Sequence, residues 1–174
     1  LDTATGEVAW KTERSGERNP EPQLKKAYGT PLVTEVDGRP VLLSTGADWL
    51  YAYDPADGRE RWKQPYGVLG FSIVPRPVVG HGMALVSTSF MQPELLAVRL
   101  PAEGAAPEIV WRAKKGVPSI PSPLLVGDEV YMVSDKGVAT CLDARTGQAF
   151  YQEERLGALG DYYASPVAAG RRSE

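Results

Sequence analysis

With 174 residues, 43% hydrophobic and 24% charged, the chain is long enough for one domain with its own core and is ordinary in composition for a globular protein. A net charge of −3 and a pI near 5.3 argue against a nucleic-acid surface, which needs a basic stripe, and no apolar run approaches the length that spans a bilayer. The one cysteine (Cys141) and one histidine (His81) exclude an internal disulfide or a thiolate metal cluster, and leave most histidine-based catalytic or zinc constellations short of members.

The first stretch, 1–27, opens on a motif, Asp2-Thr3-Ala4-Thr5-Gly6-Glu7-Val8-Ala9-Trp10. Its Asp and Gly6 predict a tight turn, followed by a strand carrying Trp10. Thr12–Ala27 is charged, contains Pro20 and Pro22 and has no apolar period, so it is expected to be a solvated connection. No secretory signal is visible, and a targeting segment is expected to lie outside these residues if the protein has one.

Residues 28–66 form a complete unit. Alternation predicts strands at Thr30–Glu35, Arg39–Ser44, Asp48–Tyr53 and Arg59–Gln64. The turns fall at Val36-Asp37-Gly38, Thr45-Gly46-Ala47 and Asp54–Gly58. Within the last turn Asp54 is expected to accept backbone N–H groups, and Gly58 to adopt a positive φ. Trp62 is expected to pack flat on the neighbouring unit. Trp49, Tyr51 and Tyr53 share one face of their strand, an aromatic stripe read as core between units.

Residues 70–115 repeat the pattern, with turns at Gly80-His81-Gly82 and Met91-Gln92-Pro93. The motif copy from Ala97 through Gly104 to Trp111 carries four extra residues. His81 is read as an exposed turn residue equivalent to Asp37 and Asp128. Gly67-Val68-Leu69-Gly70 lacks the lysine and helix of a phosphate-binding loop.

Residues 117–157 form the next unit, with turns at Gly127-Asp128, Asp135-Lys136-Gly137 and Asp143–Gly147, and with Tyr151 where the other copies have Trp. Cys141 shares its register with Ala52 and Ala97, which makes it a small buried filler. Residues 161–174 read as the opening strand of a further unit.

A second marker precedes each unit: Thr30-Pro31, Arg76-Pro77, Ser122-Pro123 and Ser165-Pro166, with prolines 46, 46 and 43 residues apart. Two independent markers on one period indicate an all-β repeat of four-stranded antiparallel blades, a β-propeller, with about four blades' worth of chain present. The prolines fall at strand starts, where a missing N–H is tolerated.

The segment Ala52-Tyr53-Asp54-Pro55-Ala56-Asp57-Gly58-Arg59-Glu60-Arg61-Trp62 resembles the tryptophan-docking motif of pyrroloquinoline-quinone (PQQ)-like propellers. Gly6 and Trp10, Gly104 and Trp111, and Asp143, Gly147 and Tyr151 occupy the matching places in the other copies. The family includes quinoprotein dehydrogenases, non-catalytic outer-membrane barrel-assembly lipoproteins and sensor propellers attached to kinases. The resemblance implies a location outside the cytoplasm and a ring of about seven or eight blades. A four-bladed ring closed by residues 1–27 and 161–174 is the competing arrangement. In the dehydrogenases PQQ sits with calcium, an aspartate base and usually a vicinal disulfide. A single cysteine cannot make that disulfide, and no residues here map onto the calcium ligands or the base. The expected role is therefore a non-catalytic scaffold presenting loops to protein or small-molecule partners, and open blade faces could support self-association. A segment of a quinoprotein oxidoreductase and a sensor propeller are the alternatives.

Overall fold

A computed structural model describes residues 1–88, 90–157 and 160–170. Blade one is β1 (Leu32–Val36), β2 (Arg39–Thr45), β3 (Trp49–Tyr53) and β4 (Glu60–Pro65), hydrogen-bonded in that order. A short antiparallel pair joins β5 (Gly70–Phe71) to β8 (Phe90–Met91), across the first two strands of the next blade. Blade two is β6 (Val78–Gly80), β7 (Met83–Ser87), β9 (Leu95–Arg99) and β10 (Glu108–Ala113). Blade three is β11 (Leu124–Val126), β12 (Glu129–Val133), β13 (Val138–Asp143) and β14 (Ala149–Arg155). Every pairing within a blade is antiparallel.

Local turn chemistry sets each blade. Asp37-Gly38 and His81-Gly82 both have positive φ at both central residues, the two-residue hairpin turn whose twist matches its strands. The wider third turn closes through an aspartate. The Asp143 carboxylate accepts the Arg145 and Thr146 N–H groups at 2.9 and 2.8 Å, and Asp54 accepts that of Ala56 at 3.0 Å.

Two cores lie between the sheets, one on each face of blade two. Val41, Leu43, Leu50 and Ala52 of blade one meet Ala84, Val86, Leu96 and Val98. Met83, Leu85, Leu95 and Ala97, the alternate residues of the same two strands, meet Val130, Met132, Leu142 and Ala144 of blade three. Period-two alternation thus sends neighbouring residues of β7 and β9 into different cores. Strands buried on both faces lose the polar alternation of a surface sheet, and all five residues of β7 are buried. The fold is that of a β-propeller.

The structure departs from the sequence reading at both ends. Residues 160–170 contain no strand, although 161–174 read as one; residues 171–174 lie outside the described residues. Residues 6–15 contain none either. Strand geometry persists only where a ladder satisfies the backbone, and among the described residues neither stretch has a partner strand in register. The charged connection after Trp10 is also more than a solvated loop. Ser15 and Glu17 offer their carbonyls to the Tyr51 hydroxyl (3.1 Å) and the Trp49 indole (2.8 Å). The Arg14 guanidinium lies 5.3 Å from the centre of the Tyr51 ring. The aromatic stripe, with Tyr51 and Tyr53 stacked at 5.9 Å, is therefore covered by polar chain and not by another apolar sheet.

Candidate functional site

The three places where one motif copy meets the next differ in a way that creates a site. At the first, Trp10 lies on the Asp54–Gly58 turn of blade one. Its indole Nε1–H donates to the Pro55 carbonyl at 2.9 Å, and Thr12 Oγ donates to the Gly58 carbonyl at 2.6 Å. Gly58 has φ +75°, and a Cβ there would stand 2.3 Å from the Trp10 ring. Both the conformation and the ring exclude a side chain. At the third, Trp111 of blade two lies on the Asp143–Gly147 turn of blade three. Its Nε1–H donates to Ala144 at 3.1 Å, and a Cβ on Gly147 would come within 2.8 Å of the indole.

The middle place should join Trp62 of blade one to the turn before Gly104 of blade two. Trp62 packs partly against the core between these blades, but its indole N–H has no partner among the described residues. Gly104 keeps the positive φ of its equivalents, at +78°, yet nothing lies within 4 Å of where its Cβ would be. The cause is the longer turn. Ala102–Ala105 closes on itself through the Ala105 N–H and the Ala102 carbonyl at 3.1 Å, and it stands off from the indole. A cleft of about 570 Å³ opens there, with Trp62, Asp54, Arg59 and Arg61 on one wall and Pro101–Ala105 on the other.

The rim of the cleft is charged. Arg39, on the hairpin of blade one, pairs with Glu103 across the opening. Arg61 donates to Asp54 at 2.7 Å and, with the Ala56 N–H, holds that carboxyl below its usual range. Arg59 is more loosely held, 4.0 Å from the same carboxylate and 68% exposed. The cleft thus offers an indole face with a free N–H donor and an available guanidinium.

The remaining motif residues fall on the same plan. Trp62, Trp111 and Tyr151 stand opposite Ala52, Ala97 and Cys141, each beside a register shift in the strand pair. Ala52, Ala97 and Cys141 are buried, and burial raises the Cys141 thiol pKa. The Tyr151 ring lies on the outer strand of blade three and is 39% exposed. Gly6 has the turn conformation, with nothing stacked on it.

Three features were not anticipated from sequence. Ser122 Oγ accepts the Arg76 N–H, and Ser165 Oγ accepts the Ser122 N–H, both at 2.9 Å. The residues before the last three marker prolines, Arg76, Ser122 and Ser165, are therefore tied one to the next. His81 is not simply exposed: its Nε2 lies 2.9 Å from the Gly127 carbonyl and 3.2 Å from Asp128, linking equivalent hairpins of blades two and three. Glu94 is buried just before β9, with Arg112 at 3.1 Å and Lys114 at 3.3 Å. Among the described residues no group of three or more His, Cys, Asp or Glu side chains is placed to hold a metal ion.

The comparisons agree with this architecture. The family model described as outer membrane protein assembly factor BamB matches residues 1–153. BamB of Yersinia pestis is 28% identical over 98% of this chain, which spans 41% of that protein. The crystal structure of BamB from Moraxella catarrhalis superposes with a TM-score of 0.61 at 17% identity, over 94% of this chain and 45% of that one. A quinohemoprotein alcohol dehydrogenase, ADHIIG of Pseudomonas putida HK5, superposes with a TM-score of 0.56 at 23% identity, over 82% of this chain and 22% of the enzyme. The two structural likenesses show the propeller fold, and the family match shows more: the chain belongs to the family of the outer membrane protein assembly factor BamB.

Proposed function

We propose that this chain is part of a non-catalytic propeller that binds protein partners outside the cytoplasm and serves the assembly of outer-membrane proteins. The family match over residues 1–153 carries this reading. The architecture supports it. Motif residues are spent on joining blades, which leaves loops, hairpins and the inter-blade cleft as the variable surface. No helix of the described residues is long and apolar enough to cross a membrane.

The test is deletion of the gene in the source organism, with quantification of outer-membrane β-barrel proteins. The reading expects their folded, membrane-inserted fraction to fall and to recover on complementation. Unchanged barrel levels, together with dye reduction by the purified full-length protein on addition of PQQ and calcium, would replace it with the oxidoreductase reading.

A further inference from the structure

We infer that the cleft beside Trp62 is a docking site for a glycine-containing turn of a partner polypeptide. This rests on the protein-binding reading above and names the place where it happens. The chain itself shows what such an indole accepts. Trp10 and Trp111 each receive a tight turn whose glycine lets the backbone lie against the ring and whose carbonyl accepts the indole N–H. Trp62 has the same position in its blade, opposite a buried alanine, and lacks only the turn.

The volume fits. A cleft of about 570 Å³ falls within the range of sites that enclose a compact ligand, and a four- or five-residue turn is of that size. The chemistry is also selective. A bare apolar ligand would leave the Trp62 N–H unpaired, whereas a backbone carbonyl satisfies it. Arg59, only loosely held by Asp54, favours an acidic side chain on the incoming turn. Both turns that dock within the chain begin with aspartate, Asp54 and Asp143. The Arg39–Glu103 pair spans the rim and would have to shift to admit a bulky segment, which selects for a narrow turn over a helix.

The experiment uses the full-length protein labelled with 5-fluorotryptophan, the Trp62 resonance being assigned by its loss in Trp62→Phe. The probe is a cyclic peptide carrying Asp-Pro-Ala-Asp-Gly-Arg, the turn on which Trp10 docks. The control carries alanine in place of the glycine, whose methyl would meet the indole. The expected result is a saturable shift of the Trp62 resonance with the glycine peptide, with affinity at least about tenfold lower for the control; for Trp62→Phe, which lacks that resonance, isothermal titration calorimetry is expected to read a loss of the same size. No shift at Trp62, or equal shifts with both peptides, overturns the inference. Complementation separates it from the broader reading. If Trp62→Phe and Arg59→Ala restore barrel assembly as fully as the wild type in a deletion strain, the cleft is not the docking site while the scaffold role stands.

Discussion

Ser122 accepts the backbone N–H of Arg76 through its Oγ at 2.9 Å, across 46 residues of chain. The pair sits where the first strands of blades two and three begin, and Ser165 repeats it on Ser122. Blade starts are thus stitched through serines, while Trp10 and Trp111 dock on the turns before the last strands. Ser122→Ala is expected to lower stability by about 0.5–1.5 kcal/mol, the net worth of one hydrogen bond. Ser122→Thr, which keeps the hydroxyl, is expected to cost less. Denaturant midpoints of the two variants check this.

Glycine substitutions should separate turn conformation from docking. At Gly104, alanine meets only the backbone cost of a positive φ, about 1 kcal/mol. At Gly58 and Gly147 the same methyl also strikes an indole, which adds about 1–3 kcal/mol of overpacking. Urea denaturation is expected to rank Gly58→Ala and Gly147→Ala well below Gly104→Ala. Equal losses at the three positions would show that the docks do not differ.

Glu94 carries the most consequential buried charge. It is 7% exposed and faces Arg112 and Lys114. Glu94→Ala leaves the half-buried Arg112 with only the Tyr66 carbonyl, at 3.5 Å, and is expected to cost about 1–3 kcal/mol, less than a fully buried pair because Lys114 and much of Arg112 reach water. Glu94→Gln should recover part of the loss. Thermal unfolding of the two variants distinguishes lost charge from lost packing.

Turn aspartates predict the acid response. Backbone and hydroxyl bonds from Thr146 lower the Asp143 pKa, and the Arg61 guanidinium with the Ala56 N–H lowers that of Asp54. An unfolded aspartate titrates near about 3.9. A depressed native value means the contribution is complete above that pH and is lost as pH falls through the lower, folded value. Stability is therefore expected to decline below about pH 4, and Asp143→Asn to flatten part of that decline. Urea midpoints between neutral and acidic pH provide the measurement.

Much of this architecture was legible because its signals are local. An Asp three or four residues before a Gly closes a turn whatever lies around it, and Asp54–Gly58 and Asp143–Gly147 do so. The shared register of Ala52, Ala97 and Cys141 followed from counting along the strands. The serine stitches were not legible, because Ser122 gains its meaning only when Arg76 of another blade is beside it. Nor was the cover over Tyr51, since Arg14 and Ser15 act through a guanidinium and a carbonyl, which leave no apolar pattern. The four extra residues before Trp111 were visible as a length difference. Their consequence was not, because the residue they strand is Trp62, on the preceding blade. The strand expected over 161–174 is absent from its described part, 161–170, for a similar reason: pairing partners are not encoded in the segment itself.

Trp10 and Trp111 are docked through their indole N–H groups, and among the described residues Trp62 is not. Hydrogen–deuterium exchange of the indole Nε1–H protons, read by NMR on the unliganded protein, measures this contrast directly. The predicted result is slow exchange at Trp10 and Trp111 and exchange at Trp62 faster by at least about tenfold. Trp62 protected as strongly as the other two would contradict the open cleft, and rapid exchange at all three would contradict the docking of blades through tryptophan.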